Sequence, residues 1–445
     1  MRILFAVHGF PPTHSAGAER RTERMARWLA DNGHHVEVVA VEDLTAEGFH
    51  VKSRDENGIL VHRLFYRAAN DFDPLVSFYD YPPVGAALED ILRRGAFDLM
   101  HIVSGYLLGN QAVQAARRVG IPSVITLTEF WFMCARLNLI QATGALCTGP
   151  ESYDKCTRCL MEDKRRYRLP AQVAPKVMDA VWPVVYRTAS SGQMRAAVQR
   201  RDHTLRAALK AVDLVICPSN YLIDKFAEFG FDTENFHFIR QGLARPGHSA
   251  AAGCSTAQVL SLGYIGQIKE HKGVDLLIDA VIPLLLEGKR IIVELWGPET
   301  EGSGYARALR ARSAAFPANI RWQGKYTGHK VWDVLAQTDV LVMPSRWHEN
   351  SPNAILEAFE MGVPVIATNL GGMAELVSHE RSGLLFEFDS SDDLRRQIRR
   401  LLDEPGLLDR LRQGVPHVKR LDDEMQEIVA QYQRLLGRRP ALSQP

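Results

Sequence analysis

The 445-residue sequence has no long apolar run, no excess of charge of either sign and only 6 cysteines. Its N-terminal segment MRILFAVHGF has one short apolar run, too short for a signal peptide, and no stretch approaches the ~20 apolar residues of a transmembrane helix. A net charge of +1 excludes a chain that coats nucleic acid, and 46% hydrophobic residues exclude a disordered chain. We therefore expect a cytoplasmic globular protein with no nucleic-acid partner and reduced cysteines.

The length predicts two domains, since one hydrophobic core rarely serves more than roughly 250–300 residues. Apolar strands alternate with amphipathic helices from RILFAVHG onward, and the alternation restarts at VLSLGYIG after a stretch rich in Gly, Ala and Ser. We predict an N-terminal domain over 1–245, a linker over 246–258 and a C-terminal domain over 259–420. A helix and tail over 421–445 are expected to pack back on the N-terminal domain, which also carries a cysteine-containing insertion (about 130–165) and a basic helical segment (about 155–210).

The near-continuous apolar strands are typical of parallel sheets covered by helices on both faces. The predicted class is therefore α/β, with two doubly wound Rossmann-like domains facing a central cleft. In such sheets ligands bind beyond the carboxyl ends of the strands, so both domains would contribute to one site.

The stretch HENSPNAILEAF places two glutamates, Glu349 and Glu357, on either side of a helix start. Ser351 suits the N-cap and Pro352 the first helical position, which leaves Glu349 in a loop and Glu357 about 9 Å along the helix. A helix N-terminus favours an anion such as phosphate. A nucleotide sugar, with a diphosphate between a sugar and a ribose, fits this layout.

These residues, followed by GVPVIATNLGGMAELV and SGLLF, resemble the donor-binding signature of retaining glycosyltransferases of family 4, which have the GT-B fold. The segment GYIGQIKEHKGVDLLIDA contains the Lys-Gly pair that the family places at the donor diphosphate, and SAGAE stands at its N-terminal glycine loop. The resemblance covers most of the chain. It implies that Glu349 lies near the transferred sugar, as a catalytic candidate, and that Glu357 holds the ribose hydroxyls.

The resemblance also implies a wider donor-binding set: Gly17, Gln267, Lys272, Gly273, Asn350, Ser351, Asn353, Ala354, Gly371 and Gly372. Gln267 departs from the family, which commonly has an arginine there, so His271 or Lys269 would complete the charge on the diphosphate. Thr128-Glu129 stands where family members often have His-Asp. His101, at the end of FDLMHIV, is a second catalytic candidate, and a structural histidine is an equal alternative.

The implied activity is that of a metal-independent, hexosyltransferase-like retaining glycosyltransferase, with no cofactor and no protein nucleophile. It would move a sugar from a nucleotide-diphosphate sugar to a glycan or polyprenyl-diphosphate-linked acceptor in glycan, polysaccharide or lipid-linked oligosaccharide assembly. The alternatives are a nucleotide-sugar epimerase and a non-catalytic nucleotide-sugar-binding protein. A glycoside hydrolase is less natural, because its two carboxylates flank one bond.

Four cysteines, Cys134, Cys147, Cys156 and Cys159, cluster in sequence and end in a C-x-x-C pair. Two pairs of thiolates would make a structural zinc site. The first spacing is not that of a standard zinc finger, and disulfides or free thiols remain alternatives.

Residues 155–210 contain 13 Lys and Arg against 4 Asp and Glu, a net charge of +9. Apolar residues are interleaved with these charges. The segment therefore predicts a patch that faces an anionic membrane surface or a lipid-diphosphate acceptor, which would make the protein peripheral on the inner face of the membrane. Ordinary solvated helices are the alternative.

Overall fold

The computed structural model describes residues 1–68, 75–244, 259–326 and 330–437. The predicted linker 246–258 and the last eight residues of the predicted tail lie outside this part of the chain. By compactness the chain divides into two units: Met1–Pro218, Ile223–Ile239 and Met425–Pro445 form unit 1, and Ser219–Leu222 with Arg240–Glu424 form unit 2. No helix among the described residues is both long enough and apolar enough to span a bilayer.

The first half of the chain contributes eight strands: β1 (Arg2–Val7), β2 (His35–Asp43), β3 (Thr45–Glu56), β4 (Ile59–Arg67), β5 (Leu99–Val103), β6 (Ser123–Thr126), β7 (Leu214–Cys217) and β8 (Phe236–Phe238). Its helices are α1 (Gly17–Asp31), α2 (Pro82–Gly95), α3 (Gly109–Val119), α4 (Tyr153–Glu162), α5 (Arg165–Val173), α6 (Pro175–Val185), α7 (Ala189–Lys210) and α8 (Asn220–Glu228), with a 3-10 turn at Val76–Phe78.

The sheet of unit 1 has the order β3-β4-β2-β1-β5-β6-β7-β8 and is parallel except at β3. Its central strands are buried on both faces, as the apolar runs predict. The antiparallel β3–β4 hairpin was not predicted. Its turn is Asn57-Gly58, and both residues have positive φ, the backbone that a two-residue hairpin of the primed type requires.

The second half contributes six strands: β9 (Leu260–Ile265), β10 (Ile291–Trp296), β11 (Ile320–Gly324), β12 (Val340–Met343), β13 (Val365–Thr368) and β14 (Gly383–Phe386). Its helices are α9 (Val274–Leu286), α10 (Gly304–Ser313), α11 (Lys330–Ala336), α12 (Asn353–Glu360), α13 (Gly371–Leu376), α14 (Ser391–Asp403) and α15 (Leu407–Gln413), with a 3-10 turn at Glu270–Lys272.

All neighbouring strands of unit 2 are parallel, in the order β11-β10-β9-β12-β13-β14. This is the doubly wound order, in which the chain direction across the sheet reverses between β9 and β12. The prediction of two Rossmann-like parallel sheets is confirmed. The point of reversal decides where a ligand binds, because the loops that follow β9 and β12 diverge there and leave a crevice.

The last helix, α16 (Leu421–Gly437), lies with most of its length in unit 1. Tyr432 on this helix is fully buried, and its hydroxyl forms a hydrogen bond with Nδ1 of His101 on β5. Unit 1 is therefore completed by residues from the C-terminal end of the described chain.

Candidate functional site

The two loops at the reversal point of unit 2 carry the charged residues that the sequence singles out. Lys272 ends the 3-10 turn after β9, and Glu349 lies in the loop after β12. The Lys272 Nζ to Glu349 Oε1 distance is 2.6 Å, although the residues are 77 positions apart in sequence. The sheet order brings an ammonium and a carboxylate into contact at the edge where open α/β sheets bind ligands.

Gly273 allows the Lys272 loop to approach the loop after β12. It has φ +68°, and a Cβ atom at this position would lie 1.9 Å from the carbonyl oxygen of Pro344. Any side chain would therefore push the two loops apart. The Lys-Gly pair acts as a unit, because the glycine makes room for the contact that the lysine forms.

An arginine that the sequence analysis did not single out ties the same two loops together. Arg346 forms two hydrogen bonds to Asp275, each 2.7 Å long, and its backbone N–H donates to the carbonyl of His271. Burial alone would raise the pKa of Asp275, but hydrogen bonds and the charge of Arg346 outweigh it and lower the pKa. The pair therefore stays ionised and fixes the backbone that presents Lys272.

Glu349 is held at both its side chain and its backbone. Its Oε1 atom also accepts a hydrogen bond of 3.1 Å from Ser345 Oγ, and its carbonyl accepts one of 2.7 Å from the N–H of Gly372. A Cβ atom on Gly372 would lie 1.8 Å from the carbonyl oxygen of Asn350. The glycine pair Gly371-Gly372 thus supports the Glu349 loop from the start of α13, and Gly371 itself has φ +57°.

The helix start differs from the prediction by one to two residues. Helix α12 begins at Asn353, and Pro352 rather than Ser351 is the N-cap, with no side-chain capping bond. The proline takes this place because its φ of −66° and ψ of 123° are those of an extended residue that precedes a helix. Ser351 Oγ is buried and has no hydrogen-bond partner among the described residues. It directly precedes Pro352 and the first turn, whose first N–H groups have no partner within the helix.

Three further members of the predicted set belong to this helix. Asn353 is its first residue, and its side-chain oxygen accepts a hydrogen bond from Gln241. Ala354 and Glu357 follow and are half-buried. Glu357 lies in the second turn, whereas Glu349 lies in the loop before the helix.

Neither Gln267 nor His271 supplies the positive charge that an arginine of the family would add beside Lys272. The Gln267 side chain is exposed, and its carbonyl accepts a hydrogen bond of 2.7 Å from Tyr264. Burial and the neighbouring charge of Lys272 lower the pKa of His271 to about 4, so its imidazole is neutral at neutral pH. The ring packs edge-on against Trp347, with centroids 5.7 Å apart. His271 can donate a hydrogen bond to a phosphate but supplies no charge.

Lys272 also contacts an aromatic face. Its Nζ atom lies 4.5 Å from the centroid of the Trp347 ring, a distance at which a cation is attracted to the ring. The indole Nε1 is buried and has no partner among the described residues. The ring therefore holds the ammonium in place while leaving its remaining N–H groups available.

The other two predicted site residues belong to unit 1. Gly17 is the first residue of α1, and a Cβ atom there would meet nothing within 4 Å, so the backbone does not require glycine. His101 is fully buried, its Nε2 lies 2.7 Å from Thr126 Oγ1, and burial lowers its pKa to about 3. Both ring nitrogens have hydrogen-bond partners, Tyr432 and Thr126. This is the environment expected of a structural histidine, the alternative named from the sequence.

Glu129, at the position of the family aspartate, forms its hydrogen bonds with residues of unit 1. Its two carboxylate oxygens accept hydrogen bonds from Ser104 Oγ, at 2.6 Å, and from the N–H of Trp131. Burial raises its pKa despite these bonds. This carboxylate orders the loop after β6.

Two residues beside the site were missed by the sequence analysis, although signals for them existed. Arg346 stands in the segment PSRWHENSP, three residues after a buried strand, where an arginine commonly pairs with a carboxylate. Tyr221 forms a hydrogen bond with His348 Nδ1, and the two rings stack with centroids 5.7 Å apart. No sequence signal identifies Tyr221, because it lies 127 residues from its partner.

The four clustered cysteines line one cavity of about 410 Å³ in unit 1, partly against α4. Burial, reinforced by the neighbouring thiols, raises the pKa of Cys156 to about 12, and burial raises that of Cys159 to about 11. Within the described residues no group of three or more His, Cys, Asp and Glu side chains is arranged to hold a metal ion. The structure does not support the predicted zinc site, and the four cysteines are free.

Comparison with known families gives two matches that together cover most of the chain. Residues 16–242 match the model described as "Glycosyl transferase 4-like domain". Residues 260–404 match the model described as "Glycosyl transferases group 1". The second range contains Lys272, Glu349 and Glu357.

Among curated proteins, the GDP-mannose-dependent alpha-mannosyltransferase of Mycolicibacterium smegmatis is 25% identical over 448 residues, which is 99% of each chain. The D-inositol 3-phosphate glycosyltransferase of Streptomyces bingchenggensis is 35% identical over 162 residues, so the match spans only 35% of that protein. The lipopolysaccharide core biosynthesis mannosyltransferase LpsB of Rhizobium meliloti is 25% identical, over 60% of this chain and 77% of its own.

Solved structures match the whole chain in fold. Sucrose-phosphate synthase from Thermosynechococcus elongatus superposes with a TM-score of 0.64 at 16% identity, covering 98% of this chain and 100% of that one. HepE from Anabaena, in complex with UDP, superposes with a TM-score of 0.63 at 16% identity and the same coverage. At such identities the likeness shows the fold alone, and it confirms the predicted GT-B class.

Proposed function

Because this chain belongs to the glycosyl transferase family whose domain models match residues 16–242 and 260–404, we propose that it is a retaining glycosyltransferase with a nucleotide-diphosphate sugar as donor. The observation that carries the proposal is the contact between Lys272 and Glu349 at the reversal point of the unit 2 sheet. The acceptor we propose is a glycan or a polyprenyl-diphosphate-linked glycan. GDP-mannose is the first donor to test, since it is named for the relative that matches over the full chain.

Lys272 is proposed to bind the donor diphosphate. An ammonium has three N–H donors, and one of them reaches Glu349. The remaining two can bond to phosphate oxygens. A diphosphate competes with Glu349 for the same ammonium, so donor binding would loosen the ion pair and leave the carboxylate free to accept hydrogen bonds from sugar hydroxyls.

The start of α12 is proposed to bind the diphosphate from its other side. Its first N–H groups have no partner within the helix, and Ser351 Oγ is buried beside them. Backbone N–H groups and one lysine would together replace the lysine-arginine clamp of the family. Glu357, in the second turn, would then accept hydrogen bonds from the ribose hydroxyls.

Glu349 is proposed to act on the transferred sugar, where positive charge develops as the bond to the diphosphate breaks. A carboxylate fixed by Ser345 and by the N–H of Gly372 stabilises that charge without having to reorganise. The resemblance implies that the departing diphosphate assists deprotonation of the acceptor hydroxyl, so we assign no protein nucleophile.

The epimerase and the non-catalytic alternatives are not favoured. Both family models are named for glycosyl transferases, and so are the three curated relatives described above. We further propose that the enzyme works in the cytoplasm at the inner face of a membrane, where a lipid-linked acceptor would be presented.

The test is a transfer and hydrolysis assay over a panel of nucleotide sugars, with Glu349→Ala and Glu357→Ala as variants. Loss of hydrogen bonds to a charged acceptor costs about 1.5–3 kcal/mol, so Glu357→Ala should weaken nucleotide binding by roughly 10- to 100-fold. Glu349→Ala should mainly slow transfer and leave binding of the free nucleotide nearly unchanged. Glu301→Ala, at an exposed position of the same unit, is the matched control.

Equal losses in both variants, for nucleotide binding and for transfer, would contradict this division of labour. Absence of turnover with every donor, in a protein that binds nucleotide, would favour the non-catalytic alternative. Turnover without an acceptor that yields an isomer of the donor sugar would favour the epimerase.

A further inference from the structure

Helices α5 and α6 have a buried apolar side and, beside it, a second apolar side that is exposed. One side packs into a buried cluster through Ala171, Met178, Trp182 and Val185. The other side exposes large aliphatic residues, with exposed fractions of 84% for Val173, 63% for Val177 and 66% for Val184. A surface helix of a globular protein normally has one apolar stripe and an opposite polar face. A second apolar stripe indicates a second apolar environment.

The exposed residues form a row on α5, and the row resumes on α6 after the break at Ala174. Their spacing is four, four, four and three positions, which keeps neighbours on one side of each helix: Leu169, Val173, Val177, Val181 and Val184. Of the nine large hydrophobic residues that are exposed in the described part of the chain, five belong to this row. Single exposed residues need no explanation, but a concentration of this kind marks an interaction surface.

The flanks of the row are basic. From residue 164 to residue 187 the sequence has six Lys and Arg, all exposed and without an ion pair to any described residue: Lys164, Arg165, Arg166, Arg168, Lys176 and Arg187. The single acidic residue of this stretch, Asp179, is paired with Arg158. The free positive charge of the basic segment is therefore concentrated beside the apolar row.

The rest of the basic segment contributes less than its charge suggests. Lys155 pairs with Glu151, Arg195 with Asp154 and Arg206 with Asp202. Arg201 is buried and stacks on Trp131, with its guanidinium carbon 4.1 Å from the ring centroid. The sequence predicted that the whole of 155–210 faces an anionic surface. The pairing of its other charges leaves α5 and α6 as the part that can do so.

We propose that α5 and α6 dock the protein on an anionic lipid bilayer, with the row from Leu169 to Val184 in the boundary between headgroups and acyl chains. The helices have 9 and 11 residues, too short to span a bilayer, so they would lie in its plane. The basic flanks match anionic headgroups. They argue against a second copy of the chain as the occupant, because the like charges of two copies would face each other.

The α5–α6 pair is held firmly enough to act as a platform. Trp182 Nε1 donates a hydrogen bond of 3.1 Å to Glu162 on α4, and Arg158 on α4 lies over the Trp182 ring while pairing with Asp179. Helix α6, which carries Val177, Val181 and Val184, is therefore fixed against α4. This inference rests on the proposed function in one respect only, namely that a membrane-bound acceptor gives the docking its use.

The experiment is co-sedimentation of the full chain with vesicles, either zwitterionic or containing about 30% anionic lipid, at about 0.1 M and about 1 M salt. One variant removes apolar groups, Val173→Ser with Val177→Ser and Val184→Ser. A second removes charge, Arg165→Gln with Arg166→Gln and Arg168→Gln. The matched control is Leu286→Ser, an exposed apolar residue of unit 2 with 74% exposure.

We expect at least about tenfold stronger binding to anionic vesicles at low salt, and a residual fraction that survives high salt. The charge variant should lose most binding at low salt, the apolar variant should lose the salt-resistant fraction, and the control should bind as the unaltered chain does. Equal binding to both vesicle types, or an apolar variant that binds like the control, would overturn the proposal. So would a dimer in solution that only the apolar variant dissociates.

Nucleotide binding without vesicles, measured on the same variants, separates this proposal from the proposed function. It should be unchanged in all of them, since none of the substituted residues belongs to the nucleotide site. Failure of vesicle binding with intact nucleotide binding would remove the docking alone. Failure of the unaltered chain to bind any nucleotide would remove the proposed function and leave the vesicle result standing.

Discussion

Replacement of Gly372 by alanine tests whether the backbone around Glu349 is as tightly constrained as the structure indicates. The added Cβ would lie 1.8 Å from the Asn350 carbonyl oxygen and 2.7 Å from that of Glu349. Both obstacles are backbone atoms, so no side-chain rotation relieves them. To reach ordinary contact at 3.4 Å from 1.8 Å, the loop must move by about 1.6 Å.

The shift would break the hydrogen bond of 2.7 Å from the Gly372 N–H to the Glu349 carbonyl and displace the Glu349 carboxylate. A misplacement of about 1 Å at a reacting group costs roughly 100-fold in rate, or about 2.7 kcal/mol. The same overpacking should destabilise the fold by about 1–3 kcal/mol. We therefore expect the Gly372→Ala protein to remain folded, with kcat reduced about 100-fold or more.

The assay is steady-state turnover with the active donor, alongside thermal unfolding of the same samples. Gly304→Ala is the control, since a Cβ atom there meets nothing within 4 Å and the residue begins helix α10 of the same unit. Its activity should equal that of the unaltered chain. Full activity of Gly372→Ala would contradict the constraint that Gly372 places on the Glu349 loop. A loss of activity that merely follows the fraction of unfolded protein would contradict it as well.

Two further predictions concern unit 1. The His101 pKa of about 3 lies below the ordinary value of 6.5, so the unfolded chain binds more protons in this interval and stability should fall as pH drops from about 6.5 toward 3. A His101→Asn protein should show a shallower dependence in thermal unfolding between pH 7 and 5, and parallel curves would contradict the buried neutral imidazole. Cys156 and Cys159, with pKa values of about 12 and 11, should react slowly with iodoacetamide at pH 8 in the folded protein and rapidly after denaturation. Fast alkylation in the folded state would show that these thiols ionise readily.

Much of the donor site could be predicted from the sequence because its residues come in short segments. The segments around Lys272 and Glu349 follow apolar strands, and a strand followed by a helix suffices to place each on a loop. Their contact could not be read from either segment, since it depends on β9 and β12 being neighbours in the sheet. The family resemblance assigned both residues to the donor site but implied no contact between them.

Other features depend on packing that no local pattern reveals. The alternation of strands and helices does not show that both nitrogens of His101 are occupied, because Tyr432 is 331 residues away. The spacing of the clustered cysteines left a zinc site open, but the arrangement of their side chains depends on helices that follow them, and no metal-binding group is found among the described residues. The Asn57-Gly58 turn, by contrast, was a readable hairpin signal, and the antiparallel strand it forms could have been predicted.

The return of α16 to unit 1 has a consequence for biosynthesis. Every residue of unit 2 leaves the ribosome before Met425, the point where the chain rejoins unit 1. The doubly wound sheet of unit 2 can close as soon as β14 has emerged, whereas His101 must wait for Tyr432 to fill the space beside it. Nascent unit 1 therefore spends the translation of about 185 residues without the helix that carries Tyr432. During that interval Nδ1 of His101 lacks the hydroxyl that binds it in the finished protein.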